Sequence, residues 1–513
     1  MPQVTMAANQ NTSSKYQDII SKSTPLKTGS PACYKLTTVT KNFDSLKRKT
    51  LGEKNLNKTN KTILLVGETG TGKSTLINAL VNYTMGVKFE DNIWFEIVER
   101  EEKSQSESQT SDVIVYEIFG YEDKTLPYSL TIIDTPGFGS TEGIEKDLII
   151  SQRLFDLFRS YDGVHELSAV GLVLKATENR VIDRMRYIFD SVTSLFGKDL
   201  EKSIVALITY SNGRLPKNAL KALEAANIKC AKNEKDQPVH FLFDNCQNED
   251  RIEDIEDLKH AEKNTMKGMN QFSVFLEKTA SQKLSKTMDV MNSRVRLTAC
   301  IQNLQERIQL IELKQRVIQQ TEEALKKHEE EMKKNEKFTV EVDEVEEIKE
   351  KIDAWWDYKA VTCNKCKENC HYPGCTKAWS PKHCEVMKGG RCTSCTGKCP
   401  ASDHVKENWR YVNKTRKVKK TKQDMKKKYE ENKVENEMKK SLMEHLQTEM
   451  EKLKAEEIKW LDESYQHVVN LEKIALNVNS LSTHVHLDFL IEKMKERRDT
   501  EKVKKLEEMK SHG

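Results

Sequence analysis

Short apolar runs alternate with helix-like stretches in the first half of the chain. Between residues 62 and 246 the runs are TILLV, VIVYEI, LTIIDTP, AVGLVL, SIVALIT and VHFLF, and stretches such as STLINALVNYT separate most of them. Continuous apolar strands with helices between them are typical of a parallel sheet that helices cover on both faces. Only a short loop joins VIVYEI to LTIIDTP, which predicts one antiparallel hairpin at the sheet edge. The pattern therefore predicts a three-layer α/β domain over residues 61–250.

The second half has a different period. Apolar side chains recur there at steps of three and four residues, which predicts a long helix with one apolar face. A weaker seam through Leu446, Met450 and Leu453 predicts a second helical stretch. The first seam either packs on its own chain or pairs with a second chain as a coiled coil. It runs through Leu297, Ile301, Leu304, Ile308, Ile311, Ile318, Leu325 and Met332.

Residues 1–60 differ from both halves, since Ser, Thr, Asn and Lys dominate them. A segment with so few apolar side chains buries too little surface to order itself, so most of it is expected to be disordered. The run CYKLTTV, residues 33–39, is the exception. It is predicted either to add an edge strand or to lie against the domain that follows.

Composition narrows the class of protein. The 513 residues are too many for one core, and 37% hydrophobic with 32% charged residues suits long solvated helices. With 84 basic and 80 acidic side chains, the charge balance favours neither nucleic acid nor membrane as partner. The sequence has no apolar run long enough to predict a transmembrane helix. Its first residues have no apolar core, so no secretory signal is expected. The expected location is cytoplasmic, where the 12 cysteines are thiols or metal ligands.

The sequence GETGTGKST follows the first apolar run and fits the phosphate-binding pattern GxxxxGK[ST]. Its glycines let the backbone curl so that successive N–H groups face a phosphate, Lys73 adds a positive charge, and the Ser74 hydroxyl is a ligand for Mg²⁺. The helix that follows favours an anion at its N-terminus. The predicted nucleotide-binding residues of this loop are Gly67, Gly70, Thr71, Gly72, Lys73, Ser74 and Thr75.

A second phosphate-binding element, DTPG, ends the strand LTIID. Asp134 is predicted to hold Mg²⁺ through a water molecule, and the N–H of Gly137 to sense the γ-phosphate. DTPG is more typical of GTPases than of ATPases in general. The sensor also needs a threonine before the hairpin, and Thr110 in SESQTSDVIV is the candidate for this Mg²⁺ ligand. An ordinary solvent-facing threonine is the alternative.

In this order, the segments ILLVGETGTGKST, SQTSDV, IIDTPGFGST, VLKATENRV and YIFDSVTSLFG resemble the septin-like GTPases, and most of all the immunity-associated (GIMAP-type) nucleotide-binding proteins. The resemblance covers about residues 60–250. It implies a domain that binds GTP and GDP, dimerises when loaded and hydrolyses GTP as an assembly-linked switch. It also matches Arg180 to a family arginine, which implies an arginine finger that reaches a partner's phosphates. A surface arginine that caps its helix is the alternative.

Two departures from this pattern affect the expected activity. GTPases read guanine with N-K-x-D, but TYSN follows SIVALI, so Asn212 stands where the base-reading aspartate is expected. An amide still accepts a hydrogen bond from the guanine N1–H, but it loses the bidentate, charge-assisted pairing that a carboxylate gives. Asn245, at the end of the next strand, is predicted to face the base edge and to restore part of the selectivity. Phe138 occupies the position of a water-orienting glutamine, which predicts slow or partner-stimulated hydrolysis. An ATP-binding protein and a nucleotide-binding scaffold without turnover are the alternatives.

Eight of the 12 cysteines lie between Cys363 and Cys399, within the segment 361–405. Two halves, CNKCKENCHYPGC and CTSCTGKCPASDH, each begin with C-x₂-C-x₃-C and end with a fourth donor, which is the ligand spacing of structural Zn²⁺. His371, His383 and Cys384 are spare donors, so crossing between the halves stays open. Disulfides and an iron–sulfur cluster are the alternatives. The predicted zinc ligands are Cys363, Cys366, Cys370 and Cys375, then Cys392, Cys395, Cys399 and His404.

The regions on either side of this segment, residues 251–360 and 406–513, are predicted to be helical and to form a hairpin whose tip is tied by metal. Residues 414–428 carry nine bases and one acid. We expect a solvated helix face that pairs with the acids of residues 329–350, and contact with nucleic acid or anionic lipid is the alternative. The predicted architecture is therefore an α/β P-loop GTPase domain followed by a mostly α-helical arm, and assembly is expected through both.

Overall fold

The computed structural model describes residues 14–43, 46–98, 112–137, 144–177, 183–251, 254–335, 339–352, 359–375, 380–421, 442–478 and 481–511. The chain divides into two units. The first comprises residues up to Met291 together with Ile474–Leu481. The second comprises Asn292–Lys473 and Ser482–His512.

The first unit contains strands β1 to β13 and helices α1 to α6. The strands are β1 (Thr24–Lys27), β2 (Ala32–Lys35), β3 (Val39–Phe43), β4 (Leu46–Leu51), β5 (Asn60–Gly67), β6 (Ile93–Glu96), β7 (Ile114–Ile118), β8 (Ser129–Asp134), β9 (Glu166–Leu167), β10 (Ala169–Lys175), β11 (Ile204–Thr209), β12 (His240–Leu242) and β13 (Gln282–Lys283). The helices are α1 (Gln17–Ile20), α2 (Lys73–Met85), α3 (Ile144–Arg159), α4 (Asp183–Thr193), α5 (Lys217–Ala225) and α6 (Ile255–Lys278).

An eight-stranded sheet has the order β12-β11-β10-β5-β8-β7-β4-β3. Strands β12, β11, β10, β5 and β8 pair in parallel. Strands β8, β10 and β11 are buried along almost their whole length, as is typical of a parallel sheet that is covered on both faces. The predicted hairpin is present, since β7 and β8 pair antiparallel. Its predicted position at the edge is wrong. Strand β4 pairs in parallel with the free side of β7, and β3 pairs with β4.

The expected disorder of residues 1–60 is wrong for the part that the structure describes. Strands β1 and β2 form a small sheet with β6, and β2, the middle strand, contains the first three residues of the run CYKLTTV. Tyr16 and Leu36 are buried in the same core as the large sheet, and the Tyr16 hydroxyl donates a 2.7 Å hydrogen bond to the carbonyl oxygen of Gly86. Leu46 and Leu51 of β4 are buried as well. A few well-spaced apolar residues therefore suffice because the following domain supplies the surface on which they pack.

The second unit contains a long helical part, a β-ribbon and a cysteine-rich part. Helix α7 (Ser285–Lys327) starts in the first unit and continues into the second, followed by α8 (Glu329–Lys334), α9 (Leu442–Ile474), α10 (Leu481–Glu496) and α11 (Thr500–Ser511). The strands are β14 (Thr339–Lys351), β15 (Lys359–Cys363), β16 (Glu368–Cys375), β17 (Met387–Lys388), β18 (Arg391–Cys392), β19 (His404–Glu407) and β20 (Trp409–Thr421).

The apolar seam of α7 is buried within one chain. Leu297, Ile301 and Leu304 are almost fully buried. Residues next to the seam contact two other helices of the chain. Sγ of Cys300 lies 3.5 Å from the Ser464 hydroxyl of α9, and the Thr298 hydroxyl lies 3.2 Å from Nε2 of His486 in α10. Of the two explanations for the seam, packing on the same chain is the one that these contacts support. The side chains of Leu325, Met332 and Leu446 lie outside the described residues.

Strands β14 and β20 form an antiparallel ribbon from Thr339–Thr421 to Lys351–Trp409. The prediction of helix is therefore wrong for both segments. The expected pairing of acids with bases is present, since Glu344 lies 2.8 Å from Lys420 and 3.6 Å from Arg416, and Lys414 lies 3.2 Å from Glu350. Cross-strand ion pairs and alternating buried valines stabilise strands here despite the helix preference of Glu and Lys.

Candidate functional site

The phosphate-binding loop lies between the central strand β5 and helix α2. Gly72 has φ +81°, a conformation that favours glycine, and α2 begins at the next residue, Lys73. The loop is stabilised internally, because the Thr71 hydroxyl donates to the carbonyl oxygen of Glu68 over 2.9 Å. Ser74 and Thr75 are partly exposed in the first turn of α2. The predicted loop therefore has the strand–loop–helix setting that phosphate binding requires.

Asp134 and Gly137 lie against this loop. Nζ of Lys73 is 3.4 Å from Oδ1 of Asp134, and both side chains are buried. Gly137 approaches the loop so closely that a Cβ atom there would lie 2.2 Å from the hydroxyl of Thr69 and 2.8 Å from its backbone nitrogen. Only glycine therefore fits at position 137. The structure brings together the two phosphate-binding elements that the sequence predicted.

The candidate base-reading residues follow neighbouring strands. Asn212 comes after β11 and is exposed, and its Oδ1 accepts a 3.1 Å hydrogen bond from the backbone nitrogen of Arg214. Asn245 comes after β12, and its Nδ2 is a buried donor without a hydrogen-bond partner among the described residues. The backbone nitrogen of Ser211 donates to the carbonyl oxygen of Phe243 over 3.0 Å and so connects the two loops.

Thr209, which the sequence analysis did not single out, connects the base side to the phosphate side. Its hydroxyl lies 2.6 Å from the carbonyl oxygen of Thr71 in the phosphate loop. Thr209 is the first residue of TYSN, where the usual GTPase pattern has asparagine, and that position is the signal that would have identified it. Three predicted residues, Thr110, Phe138 and Arg180, lie outside the described residues.

We refer to residues 359–375 and 380–407 as the cysteine module. Its donors converge into three groups, within each of which the ligand atoms lie within 4.8 Å of one another. Group one is Cys363, Cys366, Cys395 and Cys399; group two is Cys370, Cys392, Cys395 and His404; group three is His371, Cys375, Cys384 and Glu385. All the cysteines of the module are free thiols.

These groups correct the division into two consecutive halves. The first half contributes Cys363 and Cys366 to group one and Cys370 to group two, so the halves interleave. The reason is topological: strand β15, which ends in the first half, pairs with β19, which begins at the last residue of the second half, and this places Cys363 opposite His404. Cys375 belongs to group three, together with two of the spare donors. Glu385 was missed, because carboxylates are too common to stand out.

Cys395 belongs to both group one and group two. Hydrogen bonds with Cys370 and Cys392 lower the pKa of Cys395 below its usual range. Burial acts to lower the pKa of His404, but hydrogen bonds with Cys392 and Cys395 outweigh it and raise this pKa to about 10. The thiolate form, which is the form that binds metals, is thus favoured at the shared position.

Residues 57–153 match the family model described as Septin. This match covers the phosphate loop and the DTPG element but less than half of the chain. No curated protein is similar enough to this chain to match.

Several solved structures resemble part of the chain weakly. Toc33 from Arabidopsis thaliana in complex with Mg²⁺ and GMPPNP is 15% identical, over 44% of this chain and 88% of that chain, with a TM-score of 0.30. The same protein with GDP and Mg²⁺ gives 15% identity, the same coverage and a TM-score of 0.31. A structure of the chloroplast translocon components atToc33 and psToc159 gives 18% identity, 37% and 71% coverage and a TM-score of 0.26. Similarities this low carry no functional argument.

The first unit therefore contains a mixed α/β domain with a phosphate-loop motif, part of which is similar to the Septin family model, and a mainly helical region with clustered cysteines follows it. Within the described residues, no helix is both long and apolar enough to cross a membrane.

Proposed function

We propose that this protein is a guanine-nucleotide switch that assembles when loaded with GTP and hydrolyses GTP slowly or with a partner's help. The observation that carries the proposal is the contact between the two phosphate-binding elements. Lys73 pairs with Asp134, and Gly137 lies against Thr69. A γ-phosphate that attracts Lys73 and bonds the N–H of Gly137 would change both contacts, so the geometry couples nucleotide state to the segment after β8.

The residues present fit a magnesium ion. Asp134 is fully buried, its Oδ1 lies 3.4 Å from Nζ of Lys73, and Ser74 follows Lys73 in the first turn of α2. A carboxylate and a hydroxyl oxygen beside the phosphate loop are donors of the kind that Mg²⁺ binds. Ser74 and Asp134 would hold the ion, and Thr110 is proposed as a further ligand. The ion would neutralise charge on the phosphates. Lys73 supplies the second positive charge, and the N-terminus of α2 favours the anion.

Guanine is the proposed base. Nδ2 of Asn245 is a buried donor that matches the O6 acceptor of guanine, whereas adenine presents an amino donor at that edge. Asn212 would offer its Oδ1 to the N1–H, in place of the carboxylate of other GTPases. Thr209 would hold this loop at the correct distance from the phosphate loop through its bond to Thr71. ATP binding is the rival, because the aspartate is absent from TYSN.

Assembly completes the proposal. Two nucleotide-loaded domains would meet so that Arg180 of one reaches the phosphates of the other, which compensates for Phe138 at the water-orienting position. Groups one and two of the cysteine module would hold two structural zinc ions, since four N and S donors without an open position are typical of such sites. The helical arm would then serve partner contact, in the cytoplasm. A scaffold without turnover is the other rival.

Nucleotide competition tests the base. We expect GTP and GDP to displace a fluorescent GTP analogue from the full-length protein at concentrations at least about tenfold lower than ATP, a difference of about 1.4 kcal/mol. Lys73→Ala should abolish binding and leave the helical signal of the arm intact. Asn212→Asp should increase the preference for guanine. Equal displacement by ATP would reject guanine specificity.

Light scattering and hydrolysis rates test the switch. We expect a non-hydrolysable GTP analogue to increase the molecular mass, and the specific hydrolysis rate to increase with protein concentration. Arg180→Ala should abolish this concentration dependence, and Arg186→Ala on the exposed side of α4 is the matched control. A rate that does not depend on concentration while the protein dimerises would remove Arg180 from the mechanism, and no turnover at all would favour the scaffold.

A further inference from the structure

Group three of the cysteine module has no part in the roles proposed above. Nδ1 of His371 lies 3.1 Å from Sγ of Cys384 and 3.5 Å from Oε2 of Glu385. The Sγ atoms of Cys375 and Cys384 are 3.7 Å apart. Four donors of three chemical types therefore converge on one point.

The spacing suits a tetrahedral ion. Two sulfur atoms that are each 2.3 Å from a common centre, at the tetrahedral angle, lie about 3.8 Å apart. The observed separation of Cys375 and Cys384 is close to this value. Shorter metal bonds to nitrogen and oxygen bring the remaining pairs closer together, as the contacts of His371 show. The donor atoms are thus already placed as ligands of one ion would be.

Burial gives a second reason. All four side chains are at least nine-tenths buried. Two thiols, an imidazole and a carboxylate lose favourable contacts with water in such a place, and a bound cation compensates this loss when it accepts their lone pairs. Thiolate, imidazole and carboxylate together form a donor set that zinc accepts.

The core around the group gives a third reason. The buried cluster of the module consists mainly of cysteines, and its aliphatic members are few, among them Ala299, Val361, Val386 and Met387. So small an apolar core stabilises a fold weakly, and small domains of this kind obtain folding energy from bound metal. Groups one and two take their donors from residues before Cys375 and after Glu385, and none from the segment between these two residues.

We propose that group three binds a third zinc ion, with His371, Cys375, Cys384 and Glu385 as ligands. The site is structural, because four protein donors close the coordination sphere. It connects the end of β16 to the residues before β17. The Nε of Arg296 on α7 donates a 2.8 Å hydrogen bond to the carbonyl oxygen of Glu385, so the ion also fixes this loop against the helix.

Metal content tests the proposal. Full-length protein, purified with reductant and handled without oxygen, should contain three zinc ions per chain by elemental analysis. Cys375→Ser combined with Cys384→Ser should lower the content by one ion. His383→Ala, which removes an exposed neighbouring donor outside the group, is the matched control and should change nothing. Two ions in the wild-type protein, or no loss in the double variant, would overturn the proposal.

A milder variant covers the case in which the double variant does not fold. Glu385→Gln is nearly the same size, and it should make one of the three ions transfer to a chelator at least about tenfold faster, as loss of a metal-site contact typically does. Transfer at the wild-type rate would exclude Glu385 as a ligand. A Cys375–Cys384 disulfide in the freshly reduced protein, detected by mass spectrometry, would also overturn the proposal.

Discussion

Replacing Lys73 by methionine should destabilise the nucleotide-free first unit by about 3–5 kcal/mol, the usual cost of removing one partner from a buried ion pair. Nζ of Lys73 lies 3.4 Å from Oδ1 of Asp134, and the side chains are 7% and 0% exposed. At such low exposure, water screens the pair weakly. The substitution therefore leaves the Asp134 carboxylate buried without its cation.

Asp134→Asn in the Lys73→Met background should recover much of this loss, because it removes the charge that was left uncompensated. The expected coupling energy between the two positions is about 2–3 kcal/mol. The ion pair between Lys58 and Asp123 is the matched control. Its atoms are 2.5 Å apart, but its side chains are 32% and 61% exposed, so the same double-mutant cycle should give less than about 1 kcal/mol.

Hydrogen exchange read by mass spectrometry measures these energies in the full-length chain. Peptides from β5, α2 and β8 report the local free energy of opening, so the second unit does not have to unfold with the first. Losses at Lys73 and Asp134 that add within about 0.5 kcal/mol would refute the reasoning. The two side chains would then not interact in the absence of nucleotide.

Two further changes test separate parts of the chain. Gly137→Ala should lower GTP affinity by at least about tenfold, or 1.4 kcal/mol, because the new Cβ meets Thr69 and displaces the phosphate loop; unchanged affinity in the competition assay would contradict this close approach. Burial lowers the pKa of His486 to about 4, against about 6.5 in the unfolded chain. Its stabilising contribution is therefore fully present above pH 6.5 and is lost progressively as the pH falls from 6.5 through 4. His486→Gln should therefore lose about 2 kcal/mol less stability than the wild-type protein between pH 7 and 5 in denaturant titrations, and equal losses would reject the role of His486.

The parallel sheet and the phosphate loop could be predicted because their signals are local. Apolar strands and GETGTGKST are continuous in sequence, and the elements around them follow the usual order. The ribbon of β14 and β20 could not be predicted in the same way. Glu and Lys favour helix locally, and the partner that makes Glu344 part of a strand lies more than seventy residues away, at Lys420. Tertiary pairing overrode local preference there.

In the candidate site too, residues in short motifs could be predicted, whereas contacts between residues far apart in the sequence could not. Lys73, Asp134 and Gly137 were predicted from short motifs, and the structure brings them together. The position of Thr209 at the start of TYSN marks it as a candidate, but its contact with Thr71 joins residues 138 positions apart, and no short pattern encodes that contact. The cysteine groups were misassigned because spacing rules assume that each set of four donors closes on itself, whereas the pairing of β15 with β19 makes them cross.

The shared position of Cys395 has a consequence for how the cysteine module takes up metal. The residues up to Cys375 supply two donors to group one and one to group two, and the residues from Cys392 onward supply the rest, so neither part alone has a complete set. An ion that enters one group also positions Cys395 for the other, which lowers the entropic cost of the second binding step. Metal uptake by these two groups should then be cooperative. At half saturation, a sample would contain filled and empty modules rather than modules with one ion each.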